Sequence, residues 1–128
     1  MRLSEFELDV MQQVWRRGRC SAPDVHCGVA SSRNVAYTTV KTILDRLERK
    51  GCLVRVGADG RAILYEAAVS RATVQQSMLE RFVAHVFAGD RRPMLTQLLR
   101  DETLTPTELQ HLRDLLSDRQ ADGGESDA

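Results

Sequence analysis

The alternation of apolar and polar positions divides the chain into three helices, a hairpin and then more helices. Leu8, Met11 and Trp15 recur at helical spacing, flanked by Val10 and Val14. Ser4 and Glu7 have capping-box spacing at the start of that helix, and Leu3 and Leu8 are placed for a hydrophobic staple. Arg16, Arg17 and then Gly18 mark its end, since cations and glycine favour a helix C-terminus. A shorter helix starts at Ser21, with Pro23 in its first turn, Asp24 at its positive end and Val25 and Val29 as its apolar face. Residues 30–35 form the connecting turn, in which Asn34 is expected to cap the third helix.

That third helix is predicted over residues 37–50, ended by Gly51. Val40, Ile43, Leu44 and Leu47 sit at i, i+3, i+4 and i+7 and make one buried stripe. The opposite face carries Thr38, Thr42, Asp45 and Arg49, with Thr39, Lys41 and Arg46 on its flanks. Adjacent threonines are poor helix formers, so their presence here points to a use other than helix stability. Two β-prone runs come next, 53–56 and 61–67, joined by a Gly-Ala-Asp-Gly turn, and they read as a hairpin with Arg55 and Arg61 flanking its tip. From Ser70 the pattern is helical again. Val74, Met78, Phe82 and Val86 line one stripe, a short helix is expected around 93–100, and Thr105, Pro106 and Glu108 open a last helix carrying Leu109, Leu112, Leu115 and Leu116.

Three helices and then a hairpin is the layout of a winged helix-turn-helix, in which the third helix enters the DNA major groove. The expected fold is therefore mostly α with a small β-hairpin: a DNA-binding domain over 1–69, a helical dimerisation segment over 70–117, and a polar, Gly-rich tail over 118–128 expected to be disordered. Thr38, Thr39 and Thr42 suit base edges or a thymine methyl group. Lys41, Arg46 and Arg49 suit phosphates, and Arg61 on the hairpin suits the backbone or the minor groove. The apolar stripes Val74, Met78, Phe82, Val86 and Leu109, Leu112, Leu115, Leu116 are expected to pair with a second chain, because isolated amphipathic helices need a packing partner.

Net charge is zero over 128 residues, which at first argues against a nucleic-acid partner. The distribution changes that: residues 1–70 hold 11 Lys and Arg against 8 Asp and Glu, and residues 71–128 hold 7 against 10. No apolar run is long enough to span a bilayer, and the N-terminus lacks the apolar core of a secretion signal, so a cytoplasmic protein without a membrane partner is expected. Cys20, Cys27 and Cys52 include no CxxC pair, which argues against a disulfide framework or structural zinc; Cys20, His26 and Cys27, with Cys52 as a further member, are weak candidates for a redox or metal sensor. His26, His85 and His111 lie in separate elements without partners at motif spacing, so neither an enzyme nor a cofactor is expected. Two other readings stay open: a thiol- or metal-responsive winged-helix regulator, and a winged helix used for protein contacts without DNA.

The stretch AYTTVKTILDRLERKG at 36–51 resembles the recognition-helix signature of the penicillinase and methicillin-resistance repressor family. Leu3-Ser4-Glu5-Phe6-Glu7-Leu8, Val10-Met11, Trp15, Tyr65 and the ending at 104–116 are similar too, so the resemblance spans about residues 3–117. It implies a repressor, tied to antibiotic resistance, that binds palindromic operators as a homodimer through interlocked C-terminal helices. The family's DNA contacts would map to Thr39, Thr42 and Arg46, with Thr38 and Lys41 beside them. In antibiotic-responsive members a membrane-bound sensor metalloprotease triggers cleavage within the C-terminal segment, often at an Asn-Phe bond, so the resemblance implies a signal-transducing protease or a co-regulator as a further partner; the cleavage position reads Gln97-Leu98 here, a departure from that pattern. The paired C-terminal CxC motifs of copper-responsive relatives are missing as well, since no cysteine comes after Cys52.

Overall fold

A computed structural model describes residues 2–100 and 102–123, with only the backbone of Asp122 and Gly123. The chain forms two compact units, Met1–Arg81 and Phe82–Ala128.

The first unit holds α1 (Glu5–Arg17), β1 (Cys20–Ser21), α2 (Ala22–Val29), α3 (Tyr37–Arg49), β2 (Leu53–Asp59), β3 (Ala62–Ala67) and the first part of α4 (Arg71–Val86). Its first two helices both open on capping boxes. Ser4 Oγ accepts from Glu7 N–H while Glu7 accepts from Ser4 N–H, and Ser21 and Asp24 do the same for α2. The three-stranded antiparallel sheet has the order β1-β3-β2. Strand β1 is an addition to the expected hairpin: Cys20 pairs with Tyr65 and Ser21 with Leu64. Two residues are too short to give a period-2 signal, so sequence reasoning had no purchase on this strand.

The hairpin itself is longer and its turn later than expected. The pairing of Asp59 with Ala62 makes Gly60-Arg61 a two-residue loop, and Gly57-Ala58-Asp59 belongs to β2. Gly60 has φ +63°, the positive value that the first loop position of a II′ turn requires. A register shift between Arg55 and Gly57 is absorbed at Gly57, with φ +156°. The Gly-rich stretch thus marks a bulge and a turn rather than one four-residue loop.

The core is built as the periodicity predicts. Val10, Met11, Val14, Val25, Val29, Val40, Leu44, Leu47, Leu53 and Tyr65 are almost fully removed from water and pack in one cluster. Trp15 lies at its edge and donates from Nε1 to Val69 O at 3.0 Å, fixing the segment between hairpin and α4 onto α1. Val74 is fully buried in the same cluster and Met78 packs against it, so the first turns of α4 complete the core of the first unit.

In the second unit, α4 ends through Phe87 N–H and Gly89 N–H, both donating to Val83 O. Helix α5 (Arg91–Arg100) has no buried residue among those described, and α6 (Pro106–Gly123) opens with the predicted Thr105–Glu108 capping box. Helix α6 runs to Gly123, past the boundary at residue 117 expected for the start of a disordered tail. Residues 124–128 of that expected tail lie outside the described residues. No helix is long and apolar enough to cross a membrane among the described residues.

Candidate nucleic-acid interface

Helix α3 is held in place from several sides. Its stripe of Val40, Ile43, Leu44 and Leu47 is buried against α1 and α2. Its C-cap, Lys50, reaches back to the start of α1: Nζ lies 2.9 and 2.8 Å from the two oxygens of Glu7 and donates to Arg2 O at 2.9 Å. Glu7 is buried. Burial alone would raise its carboxyl pKa; the Lys50 ammonium and the Ser4 hydrogen bonds outweigh that and hold it below the usual glutamate value. At the other end, His26 Nε2 lies 2.9 Å from Val35 O, and its ring meets the Tyr37 ring edge-on at 6.0 Å. Arg33 in the turn pairs with Asp9 of α1 at 2.6 Å and lies 4.7 Å over the Phe6 ring. The turn before α3 is therefore anchored by Arg33 and His26.

Asn34 does not cap α3. The N-cap is Ala36, which has no side-chain acceptor, because the helix starts two residues later than Asn34 could serve. Thr39 N–H turns back to Ala36 O at 3.1 Å, and no side chain caps the N–H groups of Tyr37 and Thr38.

Opposite the buried stripe, Thr38, Thr39, Lys41, Thr42, Arg46 and Arg49 are all exposed. The Thr42 hydroxyl donates to Thr38 O at 3.0 Å, leaving its oxygen free to accept. Arg61, at the hairpin tip, is exposed too. Among the described residues, none of Lys41, Arg46, Arg49 and Arg61 has an ion-pair partner, whereas Arg19, Arg33, Lys50 and Arg55 of the same unit are each paired with a carboxylate. Arg2, Arg16, Arg17, Arg71 and Arg81 of the same unit also lack an ion pair among the described residues, so it is their place in the fold that groups the first four. Lys41, Arg46 and Arg49 hold the outer face of α3, and Arg61 holds the hairpin tip.

Arg55 corrects the sequence reading. It does not flank the tip; it lies at the base of the hairpin with its Nε 3.1 and 3.0 Å from Glu48 Oε1 and Oε2 and its guanidinium 5.9 Å over the Tyr65 ring. The Glu48 hydrogen bonds keep this guanidinium even more firmly protonated than usual.

The weak metal set is not assembled. Cys20 is buried on β1, Cys27 is exposed on α2, and the His26 ring is turned to Val35 O. Among the described residues no group of three or more His, Cys, Asp or Glu is placed to hold a metal ion. Burial pushes the Cys20 thiol up, with Asp24 adding to the effect, and burial likewise pushes up Cys52.

The family model of the penicillinase repressor matches residues 3–118. The chain belongs to the penicillinase repressor family. Within it, this member is 23% identical to the penicillinase repressor of Staphylococcus aureus over 116 residues, covering 91% of each chain. It is 30% identical over 125 residues to the transcriptional regulator BlaI of Mycobacterium tuberculosis, covering 96% of this chain and 88% of that one. The solved DNA-binding domain of the repressor BlaI superimposes with a TM-score of 0.50 at 25% identity, covering 56% of this chain and 85% of that domain. The winged-helix fold of this penicillinase repressor homologue is thereby shown.

The second unit presents a different surface. Leu95, Leu98 and Leu99 of α5 and Leu115 and Leu116 of α6 are each about half exposed, and Phe82 and Val86 at the end of α4 are similar. An apolar groove of about 510 Å³ runs between α5 and α6, lined mainly by Leu95, Leu98, Leu99, Leu104, Leu112 and Leu115. Two expected dimerisation residues fall elsewhere: Val74 and Met78 are used inside the first unit, because the first turns of α4 close its core. Sequence reasoning missed the α5 leucines, although their i, i+3, i+4 spacing carried the signal.

Proposed function

We propose that this protein is a sequence-specific, DNA-binding transcriptional repressor that acts as a homodimer on a two-fold symmetric operator. The observation that carries the reading is the set of uncommitted cations and threonines on the outer face of α3 and at the hairpin tip. Three cations and three threonines share one exposed face of α3, the combination that phosphates and base edges call for. The membership in a family of repressors and the likeness to the BlaI DNA-binding domain support it.

In this reading α3 enters the major groove, with Thr38, Thr39 and Thr42 toward bases and Lys41, Arg46 and Arg49 toward phosphates. Arg61 contacts the flanking backbone. Repression is steric: a protein seated on an operator blocks access to the promoter, and no chemical step is required. Dimerisation uses Phe82, Val86, Leu95, Leu98, Leu99, Leu115 and Leu116, each about half exposed, with the half-buried Leu109 and Leu112 beside them, since apolar side chains clustered in this way call for a partner surface. Cys20 and Cys52 are buried, which leaves Cys27 on α2 as the exposed thiol a thiol-responsive regulator would have to use.

Two substitutions test the assignment of roles. Arg46→Ala is expected to weaken binding to the duplex upstream of the protein's own gene and to random duplex alike, and to lower the salt slope by about one. Thr42→Ala is expected to weaken the specific duplex more than the random one. Unchanged affinity of both variants would contradict the placement of α3 in the groove.

A further inference from the structure

The outer face of α3 carries one charge of the wrong sign for a phosphate surface. Asp45 lies on the same stripe as Thr42 and Arg49 and is half-exposed, and Glu48 lies about one turn further along the helix. Two carboxylates there would repel a polyanion and oppose the nearby uncommitted cations. Arg55 reaches across from β2 to both of them. Its Nε is hydrogen-bonded to the two Glu48 oxygens, and its Nη2 is 3.8 Å from Asp45 Oδ1. The buried Tyr65 ring beneath holds the guanidinium at that height.

We propose that Arg55 is a charge-masking and positioning residue for DNA binding: it neutralises the Asp45–Glu48 pair and fixes the base of the wing against α3, so that the helix can approach phosphates. The inference rests on the DNA-binding reading above. It assigns Arg55 a role distinct from Lys41, Arg46, Arg49 and Arg61, whose charges have no carboxylate partner among the described residues. Nε of Arg55 is hydrogen-bonded to Glu48 and the guanidinium faces Asp45 at 3.8 Å, so its charge is set against these two carboxylates and it acts through the helix face.

A mutant cycle on the full chain tests it, with fluorescence anisotropy on the upstream duplex and on random duplex at fixed salt. Arg55→Ala is expected to lose about threefold to tenfold in affinity for both duplexes. Asp45→Asn with Glu48→Gln is expected to recover affinity in the Arg55→Ala background by about threefold more than it gains when Arg55 is present. Additive effects would overturn the proposal, because masking of those two carboxylates requires that their removal offset the loss of Arg55. Arg55→Lys, which keeps the charge with little change in bulk, is expected to retain most of the wild-type affinity even if Arg55→Ala folds poorly. A loss in Arg55→Lys as large as in Arg55→Ala, with both folded by circular dichroism, would also overturn it. Failure of the wild-type chain to bind either duplex would remove the DNA reading and this inference together, an outcome the same titration reports separately.

Discussion

At the scale of single residues, the pair Glu7–Lys50 shows how a polar contact can be structural while its neighbours are functional. Glu7 closes the capping box of α1 and neutralises the C-cap of α3, and its carboxyl titrates below its usual range. A carboxyl whose folded pKa is depressed stabilises the protein above its unfolded pKa, about 4.3 for glutamate, and loses that contribution as pH falls through the folded value. The thermal midpoint is therefore expected to drop on acidification through and below that range. Glu7→Gln is expected to cost about 1–3 kcal/mol at neutral pH and to flatten the acid limb, as measured by thermal unfolding across pH. An acid limb unchanged in the variant would show that Glu7 does not carry it. The capping role of Glu7 was readable from its spacing to Ser4. The Lys50 contact was not, because it joins residues 43 positions apart that only the packing of α3 on α1 brings together. The same holds for Arg55: its type and exposure resemble those of Arg61, and only the bulge at Gly57 and the approach of α3 distinguish them.

At the scale of elements, helices with long apolar periods and strong caps were readable almost residue by residue, while short or tertiary features were not. Helix α3 starts and ends within a residue of expectation because its stripe has four consecutive turn positions and a glycine stop. Strand β1 exists only because β3 offers it a free edge, and the hairpin turn shifted because positive φ at Gly57 and Gly60 can serve either a loop or a bulge. The α1–α2 packing yields a further prediction. A Cβ on Gly28 would lie 2.0 Å from Gln13 Oε1, but that atom is the far end of a flexible side chain. Replacing a helical glycine by alanine gains up to about 1 kcal/mol in chain entropy and helix propensity. Gly28→Ala is thus expected to be neutral or stabilising in a thermal melt, with Gln13 swung aside. A drop of several degrees would mean that the two helices cannot accommodate the methyl group and that Gly28 is needed for their close approach.

At the scale of the whole molecule, the two units divide the work: one places a cationic, hydroxyl-bearing helix face, and the other exposes leucines. The DNA face was largely readable because an amphipathic helix declares both of its sides. The boundary between the units was not, since the stripe from Val74 to Val86 is continuous in sequence and only its packing shows that Val74 serves the first unit's core. If the second unit is the dimerisation surface, Leu115→Glu with Leu116→Glu is expected to turn a dimer into a monomer in sedimentation velocity and to lower operator affinity by about a hundredfold, as expected when two linked half-site contacts become one. A variant that sediments as the wild type would place the interface elsewhere. The most direct test of the central claim is a gel shift of the wild-type protein on the DNA upstream of its own gene, at two salt concentrations and with random duplex as competitor. The account predicts a competitor-resistant complex on a two-fold symmetric site whose affinity falls at least about tenfold between about 50 and about 200 mM salt. Binding that random duplex competes away, or that does not respond to salt, would contradict it.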